Sequence, residues 1–162
     1  MAQLGERHGG LRLSGFDVSE AAIAEGSAAW PSLTLRSGTA DAPPFDAEFD
    51  VVIVSFVLHW IGRAQLARSI AAIDGLLRET GVLVLTDFLP DAPCARAYHH
   101  RSDVDLLTYK QDYARCFTAL ETYAVEEQAI FAYSSGALGP VEDAQDRAVC
   151  TVLRRNLTRS KI

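Results

Sequence analysis

The chain has 162 residues, of which 49% are apolar and 22% charged, and its formal net charge is −6. A chain of this length and composition forms a globular domain with its own core rather than a disordered segment. The acidic balance argues against electrostatic binding to nucleic acid or to an anionic membrane. The longest apolar run, residues 51–58, is far too short to span a bilayer.

The cellular setting is indicated by the N-terminus and the cysteines. Residues 1–7 contain no apolar run of the kind that a signal peptide needs. Cys94, Cys116 and Cys150 are too few and too scattered for a disulfide framework. We therefore expect reduced thiols and a cytoplasmic protein.

Strand and helix patterns alternate along the chain, which is typical of an α/β domain with a parallel sheet. A strand over residues 11–16 ends at Asp17, and Ser19 can cap a helix over residues 20–30. A second strand is expected over residues 33–36.

The strongest strand signal is the β-branched run over residues 49–56. A run of this kind predicts a central parallel strand that is covered on both faces. The remaining predicted elements are a helix over 63–78, a strand over 81–86, a helix over 110–120, and two strands over 129–133 and 147–153 that form a closing hairpin.

The residues that follow the predicted strands are candidates for ligand binding, because open parallel sheets bind ligands beyond the carboxyl ends of their strands. These residues are Asp17, residues 39–41, residues 55–60 and Asp87. A carboxylate at such a position can accept both hydroxyls of a ribose. The alternative for any one aspartate is a loop or cap residue that binds its own backbone. Their recurrence at one edge of the sheet favours ligand binding.

Three segments, residues 15–23, 38–60 and 76–86, resemble the class I S-adenosylmethionine-dependent methyltransferases. Gly15-Phe16-Asp17-Val18-Ser19-Glu20 is similar to the second-strand signature of that family, and the order and spacing agree over about residues 3–90. The resemblance implies a three-layer Rossmann-like sandwich, with a mostly parallel sheet and an antiparallel C-terminal hairpin. It also implies methyl transfer from S-adenosylmethionine to a small-molecule acceptor, without a metal.

The resemblance assigns roles to individual residues. Asp17 would hold the ribose of the cofactor, and the full set of implied cofactor contacts is Asp17, Val18, Thr39, Ala40, Asp41, Ser55 and Phe56. The resemblance also implies that Trp60 faces the substrate. Tyr98, His99 and Tyr109 are further candidate substrate contacts, because their aromatic and polar stretch fits a pocket wall; a plain surface helix is the alternative. His59 is the candidate general base for a hydroxyl or amine nucleophile. The alternative is a histidine at a helix start, packed beside Trp60.

One part of the family pattern is missing from this sequence. The first strand of the family ends in an acidic residue and a glycine-rich turn, and nothing before Asp17 carries that turn. Residues 1–10 resemble the helix that follows it. We therefore expect a sheet that lacks the usual first strand, between the strands at 11–16 and 51–56, and an incomplete form of the enzyme.

These expectations define a truncated methyltransferase domain over residues 1–155, with a substrate-cover segment over 94–125 and a tail over 156–162. An inactive methyltransferase-like binding domain is the alternative function. An NAD-dependent Rossmann enzyme would share Asp17 but needs a G-x-G-x-x-G motif, which the chain lacks. The expected partner is a small molecule rather than nucleic acid or a membrane, and a homodimer is left open.

Overall fold

The computed structural model describes residues 2–97 and 107–156. The chain divides into two compact units, residues 1–46 and residues 47–162. Two of the predicted substrate contacts, Tyr98 and His99, lie outside the described residues. A single truncated domain over residues 1–155 stays a prediction.

The first unit consists of helix α1 (Ala2–Arg7), strand β1 (Ser14–Asp17), helix α2 (Glu20–Ala29) and strand β2 (Thr34–Ser37). The two strands pair in parallel, with Ser14 opposite Thr34. As predicted, Ser19 caps α2, because its hydroxyl oxygen accepts the N–H of Ala22 at 3.2 Å. Gly26 lets α2 lie close to β2, since a Cβ atom there would come within 2.9 Å of Leu35 Cδ1.

The second unit contains a four-stranded sheet in the order β3-β4-β8-β7. Its strands are β3 (Phe49–Ser55), β4 (Leu77–Phe88), β7 (Tyr123–Ala132) and β8 (Arg147–Arg155). The β3–β4 pairing is parallel, whereas β8 runs antiparallel to both β4 and β7. The antiparallel C-terminal hairpin is therefore confirmed, and the sheet is mixed.

A second, two-stranded antiparallel sheet joins β5 (Cys94–Ala97) to β6 (Leu107–Lys110). The helices in the described part of this unit are α3 (Arg63–Gly75) and α4 (Ala114–Thr118), and a 3-10 turn covers Leu58–Trp60. The core lies on one face of the four-stranded sheet. It contains Val54, Leu58, Ile73, Leu77, Leu83, Leu85, Tyr113, Ala114, Phe117, Tyr123 and Leu153.

The expectation that the 49–56 strand is central and covered on both faces is wrong for this structure. Among the described strands, β3 pairs only with β4 and so lies at the edge of its sheet. Its two faces differ, because Val54 is 9% exposed whereas Val51 and Ile53 are each 52% exposed. The β-branched composition therefore identified a strand but not its position in the sheet.

The boundary between α3 and β4 also differs from the predicted one. Leu77 lies within the helix predicted over 63–78, but in the structure it begins β4 and lies opposite Phe49 of β3. The register then shifts, so that Val51 lies opposite Val82. Gly81 sits inside this irregular segment, where an added Cβ atom would come within 2.7 Å of Leu77 Cδ2.

The helix predicted over residues 110–120 is much shorter in the structure. Lys110 closes β6, where it pairs with Cys94, and this nonlocal pairing holds the backbone extended. The carboxylate of Asp112 accepts the N–H of Ala114 at 3.1 Å, which starts α4 at that residue. The predicted substrate-cover segment thus contains the two-stranded sheet of β5 and β6 and the short helix α4, which has five residues.

No helix in residues 2–97 or 107–156 is both long and apolar enough to cross a membrane.

Candidate active site

The second unit holds a cleft of about 890 Å³ at the carboxyl ends of β3 and β4. Because the two strands are parallel, these ends share one edge of the sheet. The lining residues are Phe56, His59, Trp60, Phe88, Arg96, Ala97, Thr108, Lys110, Tyr133 and Gln145. Three of the residues predicted from the sequence, Phe56, His59 and Trp60, are therefore brought together in one cleft.

Phe56 follows β3 directly and has a backbone φ of 52°, in the left-handed region that residues other than glycine rarely occupy. Its N–H donates to the carbonyl of Thr86 at 2.7 Å, so the strained residue is held to the neighbouring strand. Its ring makes edge contacts with Phe88 and Tyr133 at centroid distances of 5.3 and 5.1 Å. Strain of this kind is concentrated at binding and catalytic sites.

His59 is buried at 4% exposure and forms a pair with Asp87, which is buried at 5%. Its Nδ1 lies 2.9 Å from Asp87 Oδ1, and its backbone N–H donates to Asp87 Oδ2 at 3.3 Å. An ionised carboxylate can only accept hydrogen bonds, so Nδ1 carries the proton and donates it. Nε2, which has no partner among the described residues, is then left as a proton acceptor in a residue that lines the cleft.

Apolar rings surround this pair. The imidazole makes a T-shaped contact with Phe88 at 5.1 Å and lies 4.9 Å from the Trp60 ring. The histidine is thus packed beside Trp60, as the alternative interpretation expected, and it also lines the cleft. The two interpretations are compatible.

Two cations, Arg96 and Lys110, also line the cleft. The Lys110 ammonium lies 3.5 Å from the centroid of the Phe88 ring. Burial lowers the pKa of Lys110, and the positive charge of Arg96 lowers it further. Arg96 lies on β5 opposite Thr108, whose hydroxyl donates to the Arg96 carbonyl at 3.3 Å.

Tyr109, a predicted substrate contact, does not line the cleft, although its neighbours Thr108 and Lys110 do. Its ring lies under the Arg63 guanidinium at 4.9 Å, and its carbonyl accepts the hydroxyl of Tyr113. Burial raises the pKa of Tyr113, and the negative charge of Asp87 raises it further. The Tyr113 hydroxyl therefore stays protonated and acts as a donor that holds β6 in place.

The predicted cofactor contacts of the first unit lie together at the ends of β1 and β2. Asp17 Oδ1 accepts the N–H of Ser19 at 2.8 Å, while its backbone carbonyl accepts the N–H of Gly38 at 3.0 Å. The loop that follows turns back on itself through a bridge from Thr39 to Ala42. This places Thr39, Ala40 and Asp41 next to the tip of β1, and Val18 is 72% exposed there.

The tight path of this loop depends on Gly38. A Cβ atom at Gly38 would come within 2.6 Å of Pro44 Cδ. Arg36 fixes the same loop, since its guanidinium donates to the Pro44 carbonyl at 2.7 Å and stacks on Phe45 at 5.0 Å. Ser55, the last predicted cofactor contact, lies in the second unit at the end of β3, opposite Thr86.

The family described as "Methyltransferase domain" matches residues 1–85, which is more than half of the chain. The chain belongs to this methyltransferase family. It is 33% identical over 79 residues to an uncharacterized methyltransferase of Synechocystis sp.. The match covers 48% of this chain and 37% of that protein, so the chain spans well under half the length of this curated relative.

Solved structures of methyltransferases share the fold. One is the 1,6-didemethyltoxoflavin-N1-methyltransferase of Burkholderia thailandensis, with 1,6-didemethyltoxoflavin and S-adenosylhomocysteine bound (TM-score 0.71, 16% identity, 96% of this chain and 65% of that chain). Another is a SAM-dependent methyltransferase of Methanosarcina mazei (TM-score 0.72, 12% identity, 95% and 85%). A third is the N-methyltransferase NodS of Bradyrhizobium japonicum, with S-adenosylhomocysteine (TM-score 0.60, 15% identity, 89% and 66%). These likenesses confirm the Rossmann-like α/β fold predicted from the sequence.

The methyltransferase resemblance did not assign roles to several residues of the cleft. Asp87 was recognised as a strand-tip aspartate, but its pairing with His59 depends on the parallel neighbours β3 and β4. Arg96 and Lys110 lie in the segment over 94–125 that was predicted to cover the substrate, but neither was assigned a role of its own. Tyr133 and Gln145 reach the cleft from the turn region between β7 and β8. No local sequence signal marks these four residues.

Proposed function

We propose that this methyltransferase-family chain takes part in methyl transfer from S-adenosylmethionine to a small-molecule acceptor, with His59 as the general base. The observation that carries the proposal is the buried His59–Asp87 pair, in which His59 lines a cleft at the carboxyl ends of two parallel strands. Ligands of open α/β sheets bind at such edges.

The residues of the first unit fit one end of the proposed cofactor. Among the described residues, only one carboxylate oxygen of Asp17 accepts a hydrogen bond, from the N–H of Ser19 at 2.8 Å. Asp17 is exposed, and its other carboxylate oxygen is left to accept a ribose hydroxyl. We propose that Asp17 and Val18, with Thr39, Ala40 and Asp41 on the adjoining loop, hold the nucleoside end, and that Ser55 and Phe56 contact the methionine end.

The bound cofactor supplies a methyl group on a sulfonium sulfur, which is open to an in-line displacement. The bond from the acceptor oxygen or nitrogen to the methyl carbon forms as the bond from that carbon to sulfur breaks, and the electron pair stays on sulfur. Nε2 of His59 takes the acceptor proton, while Asp87 holds the ring in the Nδ1–H form and stabilises the imidazolium that results. The rings of Phe56, Trp60 and Phe88 restrict water at the reacting atoms.

The sequence carries no glycine-rich turn for the carboxypropyl group, and β3 lies at the edge of its sheet among the described strands. On these grounds we propose that this chain is an incomplete form of the enzyme, which binds S-adenosylmethionine poorly by itself. An extension encoded upstream, where the gene has one, should restore both stability and binding. The homodimer and the cytoplasmic location stay predictions.

The proposal is tested by calorimetric titration with S-adenosylhomocysteine, on the chain alone and with such an extension. Asp17→Ala should weaken binding about ten- to a hundredfold, because a hydrogen bond to a charged group contributes about 1.5–3 kcal/mol. Asp50→Ala, at an exposed carboxylate paired with Arg78, is the matched control. Equal affinity of Asp17→Ala and the parent protein would show that this strand tip does not meet the ribose.

Turnover is tested with radiolabelled S-adenosylmethionine and a panel of small phenols, amines and carboxylic acids. Loss of methyl transfer in His59→Gln would support His59 as the general base. Binding of S-adenosylhomocysteine without transfer to any acceptor would favour the inactive binding domain. Absence of binding in every form of the protein would refute the proposed function.

A further inference from the structure

The charges around the cleft are unevenly compensated. Outside the cleft, four arginines of the second unit form ion pairs with carboxylates, and the pairs are Arg78–Asp50, Arg147–Asp91, Arg154–Glu126 and Arg155–Asp74. Within residues 2–97 and 107–156, neither Arg96 nor Lys110 forms such a pair, although both line the cleft. Two cations without an ion pair among the described residues therefore line one cleft, in a chain whose net charge is −6.

Lys110 is held at a defined place in the cleft. Its ammonium lies over the face of Phe88, 3.5 Å from the ring centroid, while the edge contact of His59 with the same ring has a centroid distance of 5.1 Å. The proposed base and the ammonium thus flank one aromatic ring. The negative charge of Asp87 acts on Lys110, but the Asp87 carboxylate also pairs with His59 at 2.9 Å.

Arg96 reinforces the positive charge from the paired strand. It lies opposite Thr108 in the β5–β6 register, next to Lys110 of the same sheet. Burial lowers the pKa of Lys110, and the positive charge of Arg96 lowers it further. A bound anion would offset both the repulsion between the two cations and their loss of solvent. The arrangement therefore favours an anionic ligand over a cationic one.

We propose that the cleft binds a small aromatic acid, whose carboxylate or phosphate is held by Lys110 and Arg96 while its ring stacks among Phe88, Trp60 and Tyr133. This inference rests on the proposed function in one respect, since it takes the molecule in the cleft to be the methyl acceptor. The anionic group fixes the orientation of the acceptor and leaves its hydroxyl or amine toward Nε2 of His59. Lys110 and Arg96 are then specificity residues.

The test compares three probes of similar size by calorimetric titration, and these are 4-hydroxybenzoate, phenyl phosphate and neutral 4-hydroxybenzamide. We expect one or both anions to bind about ten- to a hundredfold more tightly than the amide, because each charge-assisted contact is strong where water is restricted. The two anions distinguish a carboxylate site from a phosphate site. Anions that bind no more tightly than the amide, or no detectable binding of any probe, would overturn the inference.

Variants separate the cleft from general charge effects. Lys110→Gln and Arg96→Gln should abolish the preference for the anions, whereas Lys110→Arg should retain most of it. Arg78→Gln removes an equal charge from an exposed pair outside the cleft and should leave the preference intact. An equal loss in Arg78→Gln would assign the binding to net charge and contradict the site.

Titration with S-adenosylhomocysteine on the same samples keeps the two proposals apart. Normal S-adenosylhomocysteine binding together with no anion preference would refute only the inference on the acceptor. An anion preference in a protein that binds no S-adenosylhomocysteine in any form would refute the proposed function and leave the anion site standing.

Discussion

The imidazole Nδ1 of His59 lies 2.9 Å from a carboxylate oxygen of Asp87, although the two residues are 28 positions apart in the sequence. His59 belongs to the turn after β3, and Asp87 lies near the end of β4. Parallel pairing of Ser55 with Thr86 brings the two strand ends to the same edge. The pair therefore depends on the sheet register, and a carboxylate in this position fixes which ring nitrogen of the histidine carries the proton.

Asp87→Asn tests the orientation of the base. An asparagine amide can either accept from Nδ1 or donate to it, so the variant should contain both ring tautomers. We expect methyl transfer to fall about a hundredfold or more, the range that correct general-base catalysis contributes. Nitrogen NMR of the ring should report a single Nδ1–H form in the parent protein and a mixture in the variant.

Asp50→Asn is the control for this substitution, because Asp50 is an exposed carboxylate on β3 and pairs with Arg78 at 2.6 Å. It should change neither the tautomer nor the rate. If Asp87→Asn keeps a single tautomer and full turnover, the role assigned to Asp87 is wrong.

The left-handed backbone of Phe56 gives a second prediction, which compares two truncations of one side chain. Phe56→Ala and Phe56→Gly both remove the ring contacts with Phe88 and Tyr133. Only glycine adopts a φ of 52° without steric cost. Phe56→Gly should therefore be about 1 kcal/mol more stable than Phe56→Ala, measured as the free energy of unfolding in urea. A less stable glycine variant would mean that the residue does not keep this conformation.

Much of the first unit could be predicted because its signals are local. Ser19 lies three residues before Ala22, the spacing of a helix cap, and the strand that ends at Asp17 precedes it directly. His59 could likewise be selected as a candidate, since it closely follows the strongest strand signal in the chain. In these cases neighbouring residues determine the structure.

The features that could not be predicted depend on pairing between distant segments. Leu77 fits the apolar stripe of α3, yet it becomes a strand residue because its backbone pairs with Phe49. Lys110 has good helix propensity, but the pairing of β6 with β5 overrides that weak preference. Arg96 and Lys110 both belong to these paired strands, so the sequence predicted a substrate-cover segment over 94–125 without assigning a role to either residue.

The unequal faces of β3 lead to a prediction with two matched substitutions. Val54→Thr and Val51→Thr make the same chemical change on one strand, at residues that are 9% and 52% exposed. The buried hydroxyl should cost about 1–2 kcal/mol of unfolding free energy, whereas the exposed one should change it by less than about 0.5 kcal/mol. Equal losses at the two sites in urea unfolding would show that another segment covers the Val51 face.

The last prediction concerns Tyr123, which is 4% exposed and donates its hydroxyl to Asp74 Oδ1 at 2.6 Å. Asp74 also binds Arg155, whose guanidinium donates to the Leu77 carbonyl at 2.9 Å, so the cluster ties α3 to the ends of β4 and β8. Tyr123→Phe removes only the hydroxyl. It should lower the free energy of unfolding by about 1–2 kcal/mol at neutral pH, while Asp74 keeps its ion pair.

The same pair of proteins should differ in its pH dependence. Burial, followed by the hydrogen bond to Asp74 and its negative charge, raises the pKa of Tyr123 from 10.0 to about 12. A group whose pKa is raised by folding contributes its full stabilisation below the unfolded pKa and loses it as the pH rises through the folded pKa. The stability difference between the parent protein and Tyr123→Phe should therefore be constant up to about pH 10 and shrink between about pH 10 and 12. Other tyrosines titrate in both proteins and cancel in the difference.

Urea unfolding across this pH range measures the stability difference. The control is Tyr133→Phe, at a tyrosine that is 54% exposed, which should change the free energy of unfolding by less than about 0.5 kcal/mol. A difference that stays constant to pH 12 would contradict the protonated, buried hydroxyl at Tyr123.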